Sequence, residues 1–148
     1  LYHLVPTDDR HWEEKDAPKT YPSNKITVLR FDNLSFFAEV PLLDGLLPRK
    51  KGVKNAVVIL TLRYMETLPS TTLKWLARYN LELRQSGNLL LLAGVGSHVF
   101  ELLAHTGIID AIGKENIFRA QRVITASIDE AVTRAQDWLE QNSGDQST

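Results

Sequence analysis

The chain has 148 residues, 43% hydrophobic and 24% charged: one ordinary domain with a real core, and too apolar to be disordered throughout. Lys and Arg number 17 against 18 Asp and Glu, a net charge of -1, so the basic excess of a domain that binds a nucleic acid duplex is missing. Cysteine is absent, which excludes disulfide frameworks, thiolate metal sites, iron–sulfur clusters and cysteine nucleophiles together.

No run approaches the roughly 18 consecutive apolar residues that span a bilayer. The first residues also lack the basic, apolar, small-residue order of a signal peptide. The chain opens on Leu1 and its single methionine is Met65, which leads to the expectation of a piece of a longer polypeptide.

Residues 1–24 carry Pro6, Pro18 and Pro22 and mix charges without a helical or strand period, which reads as a linker or extended arm. Ile26–Phe31 is β-branched and bounded by Asn24 and Asp32-Asn33, which predicts a strand. Leu34–Phe37 is a second apolar run, its hairpin partner or the approach to a helix. Val40, Leu43 and Leu47 have the spacing of a short helix, with Pro41 in its first turn. Asn55–Leu62 is almost unbroken apolar sequence, as in a central strand covered on both faces.

A helix over Ser70–Ser86 follows, with Leu73, Leu76, Ala77 and Leu83 on one stripe and Gly87 as its stop. Asn88–Ala93 is the next buried strand, Ser97–Thr106 a helix ended by Gly107, and Ile117-Phe118 a short strand. Ser127–Gln141 has the clearest 3.6-residue period, through Ile128, Ala131, Val132, Ala135, Trp138 and Leu139, with Ser127 and Glu130 at capping-box spacing. Residues 142–148 read as a disordered polar tail. Strands alternating with helices predict an α/β domain over residues 25–141, with a mixed, largely parallel sheet of four to six strands and four or five helices.

Four constellations bear on chemistry. Gly94-Val95-Gly96 stands between a buried strand and a helix, where dinucleotide-binding proteins place a phosphate loop. However, Val99 occupies the third glycine position, so a tight strand-to-helix turn explains it better. His98, Glu101 and His105 share one side of a helix, but two turns separate the histidines, so a solvated face is expected and no metal. Arg49, Lys50, Lys51 and Lys54 form a basic cluster without interleaved aromatics, the pattern of a solvated turn. Ser70-Thr71-Thr72 sets three hydroxyls at a helix start after a buried strand and Pro69, where free N–H groups favour an anion or a phosphoryl group. Simple N-capping accounts for the same residues. No nucleophile–base pair is visible, so no enzyme activity and no cofactor are expected.

The order ITVLRF, SFFAE, NAVVILTL, a hydroxyl-rich helix start, NLLLLAG, SHVFELLAHTG, IIDAIGKENIF and SIDEAV resembles the STAS domain, shared by SulP-type sulfate transporters and anti-sigma-factor antagonists. The resemblance covers about residues 25–140, and FFAEV, LLLAGV, FELLAHTGIIDAIG-ENIF and SIDEAV look like the transporter branch. It implies a non-catalytic regulatory domain on the cytoplasmic face of a membrane, attached to a protein that moves sulfate or a related anion. The implied partners are the transmembrane part of the same chain, a second copy, and a cytosolic regulatory protein such as acyl carrier protein. The family's signature loop reads Asp-Ser-(Ser/Thr)-Gly. Here Pro69 falls at the acid, Ser70 at the first serine, Thr71 at the phosphoacceptor and Thr72 at the glycine. With acid and glycine both replaced, the loop is expected to be a rigid cap that no kinase reads. The implied surface is the sheet end where Ser35, Phe36 and Phe37, Pro69 to Thr72, and Gly94, Val95, Gly96 and Ser97 gather. A free-standing phospho-switch and a small-ligand or nucleotide-binding module are the alternatives.

Overall fold

A computed structural model describes residues 2–7, 12–30, 45–63 and 65–144. Six strands form one sheet: β1 (Tyr2–Pro6), β2 (Trp12–Asp16), β3 (Ile26–Arg30), β4 (Val57–Thr61), β5 (Leu89–Val95) and β6 (Ile117–Arg119). Their order across the sheet is β2-β1-β3-β4-β5-β6. The run β3 to β6 is parallel, while β1 lies antiparallel between β2 and β3. Among the described residues there are four α-helices: α1 (Ser70–Gln85), α2 (Ser97–His105), α3 (Ile108–Ile112) and α4 (Ala126–Gly144), with a 3-10 turn at Lys114–Asn116.

Two apolar layers sandwich the sheet, because alternate strand residues face opposite sides. Leu29, Val58, Leu60, Leu90 and Leu92 pack with Leu73, Leu76, Tyr79 and Leu83 of α1, Val99 and Leu103 of α2, and Ile108 and Ile112 of α3. Val28, Val57, Ile59, Leu89, Leu91 and Ala93 face Ile128, Ala131 and Ala135 of α4. Small residues at 131 and 135 let that helix lie close on the sheet. All five residues of β4 and all seven of β5 are buried, as unbroken apolar runs require.

Buried polar groups fix the joints. Asn88 Oδ1 accepts from Ala56 N–H at 2.9 Å and its Nδ2 donates to the Val53 carbonyl at 3.0 Å, tying the entrance of β5 to that of β4. Just before it, α1 ends in a Schellman turn: Gly87 at φ 81° donates to the Arg84 carbonyl, and Asn88 N–H to that of Leu83. The 45–54 loop is pinned to α1 through Tyr21, whose hydroxyl meets that of Tyr79 at 2.5 Å. Tyr79 stacks on Trp75 at 4.9 Å, and Lys50, ion-paired with Glu82 at 2.7 Å, lies over the Tyr79 ring.

Three expectations are corrected. Residues 1–24 are no simple arm: β1 and β2 extend the sheet, Leu4 is buried beside Val28 and Ile59, and the four exposed charged residues of β2 suit an edge strand. Residues 142–144 belong to α4, which continues to Gly144, and not to a tail. Ser127 does not cap α4, which starts one residue earlier; it lies within the helix, 1% exposed, and its hydroxyl has no partner among the described residues. Leu34–Phe37 and residues 40–44 of the short helix expected over Val40–Leu47 lie outside the described residues, while Gly45 and Leu46 are helical.

Candidate functional site

The carboxyl ends of the parallel strands meet the starts of α1 and α2 at one edge of the sheet. Leaving β4, the chain bonds back to β5 through Leu62 N–H and the Ala93 carbonyl at 2.9 Å, and Arg63 then crosses directly over Gly94. Gly94 has φ 64°, and a Cβ there would stand 2.9 Å from Arg63 Cβ. The glycine is therefore required by a close backbone crossing; Val95 beside it is fully buried.

Pro69 is the N-cap residue of α1 and offers no side-chain acceptor; its carbonyl accepts from Leu73 N–H at 3.0 Å. Ser70 and Thr71 thus lie inside the first turn and are exposed, whereas Thr72 is fully buried. N-capping does not explain these hydroxyls, since no side chain caps this helix. Gly96 caps α2, also without a side-chain acceptor. The two helix starts are neighbours, for Thr67 Oγ1 on the approach to α1 lies 3.4 Å from His98 Nε2 in the first turn of α2.

Arginines that sequence reading passed over complete this edge. Arg63 donates to the Gln121 carbonyl at 2.8 Å. Arg119 donates to Ser97 Oγ at 3.2 Å, with its guanidinium 4.1 Å over the Phe100 ring. Next to them a cavity of about 260 Å³ is lined by Arg30, Arg63, Thr61 and Ile124, with Arg30 ion-paired to Glu14. The signal lay in the sequence: Arg30 and Arg119 end strands and Arg63 follows β4 by two residues, so all three stand at the carboxyl end of the parallel strands, where Arg119 reaches the start of α2. Val123 and Ile124 stay 65% and 55% exposed beside them, a bare apolar pair at a basic edge.

The structure therefore brings Pro69, Ser70 and Thr71 to the same end as Gly96 and Ser97, while Thr72 and Val95 face the core. Ser35, Phe36 and Phe37 lie outside the described residues. Among the described residues no group of His, Asp and Glu is placed to hold a metal, and His98 meets Thr67 rather than Glu101 or His105. The Thr67–His98 contact is long and exposed and ties two segments together; among the described residues no third group orients the His98 ring. No described helix is long and apolar enough to cross a membrane.

No family model and no curated protein matches this sequence. Solved structures do. A sulfate transporter family protein from Wolinella succinogenes is 22% identical, with 84% of this chain and 97% of that one covered and a TM-score of 0.60. The STAS domain of a SulP transporter from Vibrio cholerae is 18% identical, covers 79% of this chain and 86% of its own, and gives a TM-score of 0.55. The six-stranded, mostly parallel sheet with its helical cover is thus the STAS fold.

Proposed function

We propose that this chain is the non-catalytic regulatory domain of a SulP-type transporter of sulfate or a related inorganic anion, acting at the cytoplasmic face of the membrane. The observation that carries the reading is the fold, matched along 97% and 86% of two chains described as transporter proteins. The edge bearing Pro69, Ser70, Thr71, Gly96 and Ser97 is its contact surface for the transmembrane part of the same polypeptide. A second copy or an acyl carrier protein is a further partner of that surface. Its exposed hydroxyls, open helix starts and arginines suit an acidic or anionic partner surface.

Reading the gene upstream of Leu1 tests the attachment: about ten apolar segments of roughly 20 residues support it, and a stop codon in frame overturns it. In the complete protein, Ser97→Arg together with Thr71→Arg crowds this surface at exposed positions. Anion uptake into membrane vesicles should fall several-fold at unchanged protein level; unaltered uptake refutes the assigned surface.

The exposure of Thr71 at an uncapped helix start favours one other reading, a soluble phospho-switch. Substantial phosphate on Thr71 in protein from its native host would establish that reading instead.

A further inference from the structure

The opposite end of the sheet carries a cleft of about 400 Å³, between the entrance of β5, the turn after α3 and the last turns of α4. Arg84 of α1, Arg134 of α4 and the Trp138 indole line it. One short network sets both guanidiniums. Arg84 donates to the Ile112 carbonyl, and the same carbonyl accepts from Asn116 Nδ2 at 2.8 Å. Asn116 Oδ1 in turn accepts from Arg134 Nε at 3.1 Å. Asn116 is 1% exposed, so the bridging amide is fixed and the two cations are held about it.

Neither cation is neutralised. Among the described residues no ion pair reaches Arg84 or Arg134, although Glu115 lines the same cleft. Each guanidinium has five N–H donors and uses one of them on the described residues. Arg84 is not spent on closing its own helix, because its side chain turns to the Ile112 carbonyl while the N–H groups of Ser86, Gly87 and Asn88 take the Leu83 and Arg84 carbonyls. Arg134, Trp138 and Asn142 follow one another at four-residue steps, so one helix face presents a cation, a flat ring and an amide to the cleft.

We propose that this cleft binds a small monoester of phosphate or sulfate, its oxyanion on the two guanidiniums and its organic part against Trp138. Planar forks with unspent donors match the oxygens of such a group, and the indole supplies apolar contact for what is attached. The volume lies within the range of small-ligand sites. This site is independent of the transporter reading and of the surface at the other end of the sheet.

The test is a 15N-resolved NMR titration of the chain with phenyl phosphate, phenyl sulfate and inorganic phosphate. Saturable shifts are expected at Gly87, Asn116 and the Trp138 indole N–H, with an aryl ester binding more tightly than inorganic phosphate. Arg134→Gln and Arg84→Gln should each weaken binding about tenfold or more, the scale of one charge-assisted contact. Arg84→Lys keeps the charge without the fork and should lose less. If a glutamine variant loses its dispersed spectrum, Arg134→Lys replaces it, with the same intermediate loss expected. Absence of saturable shifts up to about 10 mM overturns the proposal. So do shifts confined to Ser70 and Ser97, or binding unchanged in the arginine variants.

Discussion

Gly94→Ala is the sharpest test of how this sheet is assembled, because two separable costs coincide there. The residue has φ 64°, a conformation that costs an L side chain roughly 1–2 kcal/mol. An added Cβ would also meet Arg63 Cβ at 2.9 Å and the Arg63 Cα and N at 3.1 Å. Those are backbone neighbours in a layer where Leu62 and Val95 are at most 1% exposed, so relief requires a shift of packed chain. Overpacking of this kind costs typically 1–3 kcal/mol, for a total of roughly 2–5 kcal/mol. Gly87→Ala supplies the control: its φ is 81°, but nothing lies within 4 Å of the new Cβ, so only the conformational cost applies. Urea unfolding should give a clearly lower midpoint for Gly94→Ala than for Gly87→Ala at similar slope. In thermal melts the two should fall by roughly 4–20 °C and 2–8 °C, at about 2–4 °C per kcal/mol. Equal losses in the two variants would refute the close crossing of Arg63 over β5 as the reason for this glycine.

Tyr79→Phe should cost about 1–3 kcal/mol by leaving the buried Tyr21 hydroxyl without its partner, and the double change to Phe at 21 and 79 should cost less than the sum of the single ones in urea unfolding. Burial, with the neighbouring Tyr79 adding to it, holds the Tyr21 phenol well above its ordinary range. Its neutral form is therefore favoured in the folded state, and this stability, full below about pH 10, should be lost as pH rises beyond it. Burial first, and Lys15 second, lower the pKa of His3, so the proton prefers the unfolded chain. Stability should be full above about pH 6.5 and fall as pH drops below it; His3→Leu should flatten the urea midpoint between pH 7 and 5, and an unchanged slope would dismiss the effect. Thr71→Glu puts the first acid into an exposed first turn of α1 and should shift stability by about 1 kcal/mol or less, in the stabilising direction. A larger loss of melting temperature would mean that Thr71 carries packing which its exposure does not suggest.

The central part of this fold is legible because burial on two faces leaves an unambiguous sequence trace. Val57–Thr61 and Leu89–Val95 are apolar on both sides, and the stripes of α1 and α4 keep a strict helical period. The N-terminal hairpin is not, since among its described residues Leu4 and part of Trp12 pack on the core while Glu13, Glu14, Lys15 and Asp16 face water. Edge strands protect themselves with charge, and charge is what makes them read as linker. The capping-box spacing at Ser127 misled for a related reason: two residues at the right interval fix a helix start only if the backbone begins there, and Ala126 is already helical. Gly94 illustrates the same limit. Its lack of room for a Cβ is set by Arg63, which belongs to the neighbouring strand's exit and has no local signature beside the glycine.

Charge shows most plainly why the two ends of the sheet differ in legibility. Arg49, Lys50, Lys51 and Lys54 are adjacent in sequence and look like a site, yet Lys50 is spent on Glu82 and on the Tyr79 ring. Arg84 and Arg134 are isolated in sequence, on separate helices with charged neighbours of both signs, and nothing local marks either. They converge because α1 and α4 cover opposite faces of the same parallel sheet and both finish near its amino edge. There Asn116, in the turn before β6, offers a carbonyl oxygen to one arginine and an amide to the carbonyl that holds the other. The parallel topology thus sorts function by strand polarity. Helix starts and their hydroxyls gather at the carboxyl edge and helix ends at the amino edge, where Arg84 stands in the last turn of α1 and Arg134 lies within α4. With the Leu83 and Arg84 carbonyls taken by the Schellman turn of α1, the donors of Arg84 beyond its bond to Ile112 have no partner among the described residues.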